Sequence, residues 1–155
     1  MTVDSFYAAD QITACFGDFG THKGVDFEAD SGSEIPAIQG GVISGAGYDE
    51  SRFGNYVTVT ADAGTWLYGH MESGPVPAIG SRVNRGDLIG RVGESGNATG
   101  PHVHVALLRG KDFVDPAPAI AGVERPLDGD DLISVIVAVT LVWLGFKLLW
   151  GPRNA

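Results

Sequence analysis

The sequence predicts a mainly β, antiparallel domain, a sheet or sandwich, followed by one C-terminal apolar helix. Three observations carry that reading. Short runs alternate apolar and polar residues through the first 120 positions, as in YVTVT at 56–60 and HVHVAL at 102–107, which is the period of a strand. Glycine-containing segments separate these runs, namely AGYDESRFGN at 46–55, ADAG at 61–64 and GESGNATG at 93–100. The stretch LISVIVAVTLVWLGF at 132–146 then carries no charge at all.

Taken in order, strands are expected around Val25–Phe27, Tyr56–Thr60, Thr65–His70, Leu88–Val92 and His102–Leu107. Each pairs an apolar face with a polar one, as an antiparallel sheet with one buried face requires. The chain has 23 glycines and 8 prolines, which suit tight turns and argue against a helical bundle. No amphipathic helix of 12 residues and no internal repeat precedes the tail. The segment DPAPAIAGVERPLDGDD at 115–131 is rich in Pro, Gly and acid, the composition of a linker. The expected organisation is a domain over 1–122, a linker over 123–131, an apolar helix over 132–150 and a short tail over 151–155.

Nineteen residues at about 1.5 Å each span about 28 Å, close to the hydrocarbon thickness of a bilayer. Trp143 and Trp150 suit a membrane interface, and Lys147 can snorkel. Residues 132–150 are therefore expected to cross a membrane or to dock into a hydrophobic partner. Asp128, Asp130 and Asp131 precede the span, whereas Lys147 and Arg153 end it. That asymmetry places the C-terminus on the cytoplasmic side and the domain outside. The first basic residue is Lys23 and no apolar run precedes it, so no signal peptide is expected. The domain would reach its site as a translocated N-terminal tail, on a larger particle, or through a lesion made by another protein.

The formal net charge is −9 and lysines and arginines do not cluster, which excludes nucleic acid as a partner. A single cysteine, Cys15, excludes an internal disulfide and a cysteine-based metal site; a small core residue is expected there.

The chain has four histidines. His102 and His104, two apart on a strand, present both imidazoles on one face. Buried rings need partners, which a metal, a substrate or ordinary hydrogen bonds could supply. His22 opens an H-x-x-x-D motif ending at Asp26, and His70 closes the strand-like run TWLYGH. Imidazoles and a carboxylate are standard zinc donors, and three protein ligands with an open position form the usual catalytic site.

These elements resemble the lysostaphin/LytM-type zinc endopeptidases. GTHKGVDFEADSGSEIPAIQGGVI, FGNYVTVTADAGTWLYGHM, VNRGDLIGRVGESGNATGPHVHVALL and VDP run in that family's order, and the resemblance covers about residues 15–118. It implies a LytM-type β fold with Zn2+ held by His22, Asp26 and His104. It implies that His70 and His102 are catalytic without binding the metal. One departure is that Phe16 and Gly17 are followed by Asp18 and Phe19, where many members carry a basic residue. The implied activity is hydrolysis of cross-bridge or stem peptides of bacterial peptidoglycan, for phage penetration or lysis or for wall remodelling. A membrane-anchored or virion-associated location, with the domain acting at the wall, follows from the tail. The competing expectation is a non-catalytic wall-binding module or a structural component of a virion or envelope complex. Tyr68 is expected in the cleft or the core, Asn55 at a turn or against substrate, and Gly93–Gly100 as the turn into the histidine strand, with a possible share in the groove wall.

Overall fold

The structure, a computed structural model, describes residues 2–122. The linker expected over 123–131, the apolar helix over 132–150 and the tail over 151–155 lie outside the described residues. Among the described residues no helix is long and apolar enough to cross a membrane.

A short helix α1 (Val3–Phe6) is capped by Thr2, whose hydroxyl accepts from the Ser5 amide. Ten strands follow: β1 (Ile12–Ala14), β2 (Val25–Glu28), β3 (Glu34–Pro36), β4 (Gly41–Asp49), β5 (Gly54–Ala61), β6 (Gly64–Met71), β7 (Arg82–Val83), β8 (Leu88–Arg91), β9 (His102–Arg109) and β10 (Asp112–Val114). A final short helix, α2, spans Ala117–Gly122. The main sheet has the order β1-β2-β9-β6-β5-β4-β7, with β10 on the end of β9, and β3 pairs β8 in a second, two-stranded sheet. Every pairing is antiparallel, as the alternating runs predict.

The alternation explains which face is buried. Val25 and Phe27 of β2 and Val103, Val105 and Leu107 of β9 point into the core beside Trp66, Tyr68, Ile43 and Val57. The residues between them, Asp26, His102 and His104, are left on the opposite face. Register completes the arrangement. Asp26 stands directly opposite His104, and Glu28 opposite His102, so the sheet itself sets a carboxylate beside an imidazole.

Two expectations change here. The segment 46–55 is not one long turn, since β4 continues to Asp49 and β5 begins at Gly54. Its glycines serve packing: a Cβ at Gly47 would lie 2.7 Å from the Tyr56 hydroxyl, so this part of β4 must be small where its partner is large. Cys15 is exposed rather than a core residue, because it lies in the surface loop leading to His22, where only Ala14 turns inward.

Candidate metal and catalytic site

The loop before β2 carries His22. Asp18 organises it: its carboxylate accepts from the Cys15 amide at 2.7 Å, and its carbonyl accepts from the amides of Thr21 and His22. The neighbouring Phe19 sits at φ 55° and is 89% exposed, so Asp18 shapes the turn while Phe19 projects from it. The Cys15 carbonyl accepts the Nδ1 proton of His22 at 2.8 Å. That bond leaves the His22 Nε2 lone pair facing the β2–β9 ladder.

Three donor atoms converge there. His22 Nε2 lies 3.2 Å from Asp26 Oδ1 and 3.1 Å from His104 Nδ1. His104 Nδ1 lies 2.8 Å from the same carboxylate oxygen. Zinc with donors at about 2.0–2.1 Å in tetrahedral array separates neighbouring donors by about 3.4 Å. The observed triangle is slightly tighter, so two imidazoles and a carboxylate fit such an ion in both donor type and spacing. Burial alone would raise the Asp26 carboxyl. The hydrogen bond from His104 and the three nearby imidazoles outweigh it and hold the group below the usual carboxylate range, which keeps it an anion and a ligand.

His104 is buried, and its far nitrogen, Nε2, has no hydrogen-bond partner. The ring lies against Gly24: a Cβ there would sit 2.6 Å from Nε2 and would also collide with the Val105 carbonyl. Neither strand can retreat, because β2 and β9 are paired at Val25 and Val105. Gly24→Ala is therefore expected to tilt the ring and weaken metal affinity by about 10–100-fold, the usual cost of disturbing a ligand's support. Competition of the variant and the parent against a chromophoric chelator measures it; equal affinities would contradict this role for Gly24.

The remaining histidines line the same cleft. His102 gives its Nδ1 proton to the Gly100 carbonyl at 2.8 Å, and its Nε2 lies 3.8 Å from Asp26 Oδ2. His70 gives its Nδ1 proton to the Ser95 carbonyl at 2.8 Å. The two rings are 4.5 Å apart, centroid to centroid. His70 has φ 58°, a conformation that costs a non-glycine residue and persists only where its surroundings over-determine it. They do so here: its amide donates to the Phe53 carbonyl at 2.6 Å, and its carbonyl accepts from the Gly93 amide.

The loop 93–100 supplies that hold, so it positions His70 as well as turning into β9. Ser95 donates to the Met71 carbonyl and accepts from the Asn55 amide. Gly54 and Gly96 cross with their backbones in direct contact, and a Cβ on either would strike the other loop. Asn55 is neither a turn residue nor a wall of the cleft. It lies in β5, and its side-chain amide donates to the carbonyls of Met71 and Glu72. Tyr68 is fully buried, its hydroxyl accepting from the Ile38 amide, which places it in the core.

Burial pushes the His70 imidazole down to about 4. An unfolded histidine takes up its proton near pH 6.5. Between pH 6.5 and 4 the unfolded chain therefore binds more protons than the folded one, and folding weakens as pH falls. Urea midpoints of the metal-free protein should drop through that window, and less steeply for His70→Gln. Parallel pH profiles would contradict the assignment.

The cleft has a volume of about 400 Å³ and is walled by Thr21, Lys23, Phe53, Asn97, Thr99 and Phe113, with Arg52 at its edge. The Phe53 ring packs 5.3 Å from the His104 ring and 6.2 Å from Phe113. Of these residues Asn97 and Thr99 lie within the 93–100 stretch expected to share in the groove wall; Arg52, Phe53 and Phe113 come from a turn and from β10 and carry no periodic signal.

Comparison with known proteins agrees with this architecture. The chain is 32% identical over 97 residues to Endolysin 2638A of Staphylococcus phage 2638A, covering 60% of this chain and 20% of that protein. It is 35% identical over 94 residues to the peptidoglycan DD-endopeptidase ShyC of Vibrio cholerae, covering 59% of this chain and 21% of that one. The matched part thus spans about one fifth of these relatives' length. The catalytic domain of the antimicrobial peptidase lysostaphin from Staphylococcus simulans superposes with a TM-score of 0.60 at 30% identity, over 68% of this chain and 83% of that domain. The pattern of peptidase family M23 matches residues 20–116, a span that begins just before His22 and ends just past Phe113, and so the chain that builds this cleft belongs to peptidase family M23.

Proposed function

We propose that the chain is a zinc-dependent endopeptidase that hydrolyses peptide bonds of bacterial peptidoglycan, with His22, Asp26 and His104 as metal ligands and His70 and His102 as catalytic residues. The observation that carries this reading is the convergence of three donor atoms within 3.2 Å of one another beside two imidazoles whose Nδ1 protons are committed to backbone carbonyls. Family membership and the relatives described as an endolysin and a peptidoglycan DD-endopeptidase support the substrate.

A zinc ion held by these ligands supplies Lewis acidity toward a peptide carbonyl and toward water. The protein's own groups do the rest. With Nδ1–H tied to a carbonyl, each of His70 and His102 presents an Nε2 lone pair. The pair accepts the proton of the attacking water at Nε2 and returns it to the departing amine nitrogen. Burial keeps His70 neutral at physiological pH, which leaves its Nε2 lone pair free to accept a hydrogen bond from water or substrate. The rings of Phe53 and Phe113 give the cleft an apolar patch beside the imidazoles.

Incubating the full chain with purified peptidoglycan, with and without a chelator, tests the proposal. New amino termini are expected by mass spectrometry only when zinc is present; zinc binding with no new termini would overturn it. Residues 132–150 are proposed to hold the domain at a membrane or within a virion or envelope complex, supported by their length and apolarity. Partition of the full chain into detergent, compared with residues 1–122, measures that. A full-length chain that stays monomeric without detergent contradicts it.

A further inference from the structure

We propose that the cleft selects a peptide bearing free carboxylates, an acidic stem peptide rather than an uncharged glycine bridge. The inference rests on the endopeptidase reading and deepens it. Its basis is a local reversal of charge. The chain carries 19 acidic and 10 basic residues, yet the only acid lining the cleft is Asp26, whose charge a bound metal would neutralise, and the wall otherwise presents Lys23 and Arg52. Two other cavities run the opposite way. One is lined by Glu28 and Asp30 and another by Glu34, with no lysine or arginine on either.

Both cations lie beside aromatic rings. Lys23 directly follows the ligand His22, and its ammonium lies 5.9 Å from the centre of the Phe16 ring. Among the described residues it makes no ion pair. The Arg52 guanidinium lies 5.1 Å from the centre of the Phe53 ring, whose ring in turn packs against His104. Arg52 is thereby placed across one aromatic ring from the proposed metal ligand. Asp49 forms an ion pair with Arg52 through the Arg52 Nε–H at 3.0 Å, which offsets part of the guanidinium charge while leaving the two terminal nitrogens for a further acceptor, so Lys23 is the more available cation of the wall. Asp49 itself is occupied by the amide and hydroxyl of Ser51 as well. The Arg52 carbonyl accepts from the Asn97 amide, so the loop carrying the cation is tied to the loop forming another part of the wall.

A carboxylate on the substrate would meet a guanidinium beside Phe53 or an ammonium beside Phe16, contacts that bias each side chain toward the cleft and lower the entropy cost of forming the pair. Both side chains are exposed to solvent. The gain from each is therefore modest and depends on salt, and it appears in recognition rather than in the chemical step.

The test uses the zinc-loaded full chain and two synthetic stem peptides of identical backbone, one with its carboxylates free and one with them amidated. The free-acid peptide is expected to have kcat/KM about three- to tenfold higher, with the difference in KM and shrinking at high salt. Replacing both cations by Lys23→Gln and Arg52→Gln should bring the ratio near one, and Lys23→Glu should turn it below that of the parent. Equal kcat/KM for the two peptides in the parent protein, or a preference for the amidated one, would overturn the inference. Titration of the zinc-free chain with both peptides reads the same discrimination without catalysis. If neither peptide is cleaved, the peptidase reading fails. Tighter binding of the free acid still upholds the selectivity, and equal binding refutes it.

Discussion

His104→Ala is expected to lose bound zinc and hydrolytic activity together. The Nδ1 atom of His104 lies 2.8 Å from Asp26 Oδ1 and 3.1 Å from His22 Nε2, so its removal leaves two donors where zinc sites of this kind use three. The loss should exceed the ~10–100-fold that disturbing a support residue costs. His104 is also buried, so part of the effect is a cavity between β2, β6 and β9. Circular dichroism separates the two causes: the variant should keep its β signal while elemental analysis finds less than stoichiometric zinc. A folded variant that retains one zinc per chain and still cleaves peptidoglycan would remove His104 from the ligand set.

The second large effect is at His102, only two residues away. His102→Ala should keep its zinc and lose about 10²–10⁴-fold in kcat, the usual contribution of a positioned acid or base. The reasoning is geometric. His102 shares a face with His104 but is not among the three converging atoms, and its Nε2 is 3.8 Å from the second oxygen of Asp26, while its Nδ1 is held by the Gly100 carbonyl. Zinc content and turnover are measured on the same preparation. Unchanged turnover would exclude a catalytic role, and lost zinc would make His102 a ligand or a support. Two neighbours on one strand thus give opposite signatures, which a general loss of stability cannot imitate.

How much of this was legible depends on how local each signal is. Strands β2, β5 and β9 have a clear period of two, whereas β6 runs apolar through Trp66, Leu67 and Tyr68; the His-x-His face follows directly from the period of β9. Convergence of His22, Asp26 and His104 is a matter of register across β2 and β9, and only the resemblance to a known family anticipated it. Strands of two or three residues, such as β1, β7 and β10, are too short to show a period. The 46–55 segment misleads because Gly47, which makes room for Tyr56, and Gly54, which packs against Ser95, look like residues of one long turn. Arg52, Phe53 and Phe113 are invisible as cleft residues, since a turn and a distant short strand bring them together. The φ of 58° at His70 has no counterpart in composition; it is imposed by Phe53, Gly93 and Ser95 from three sides. Cys15 looked like a core residue because small apolar side chains usually are, yet what the fold uses is its carbonyl.

That carbonyl belongs to a wider pattern. His22, His70 and His102 each lodge the Nδ1 hydrogen on main-chain oxygen, at Cys15, Ser95 and Gly100 respectively. Peptide oxygens do not ionise and are not erased by point substitution. The neutral tautomers of three rings are therefore insulated from side-chain drift. Surrounding loops can be rewritten for new substrates while the reactive nitrogens keep their aim, provided the chain's path through those three carbonyls is preserved.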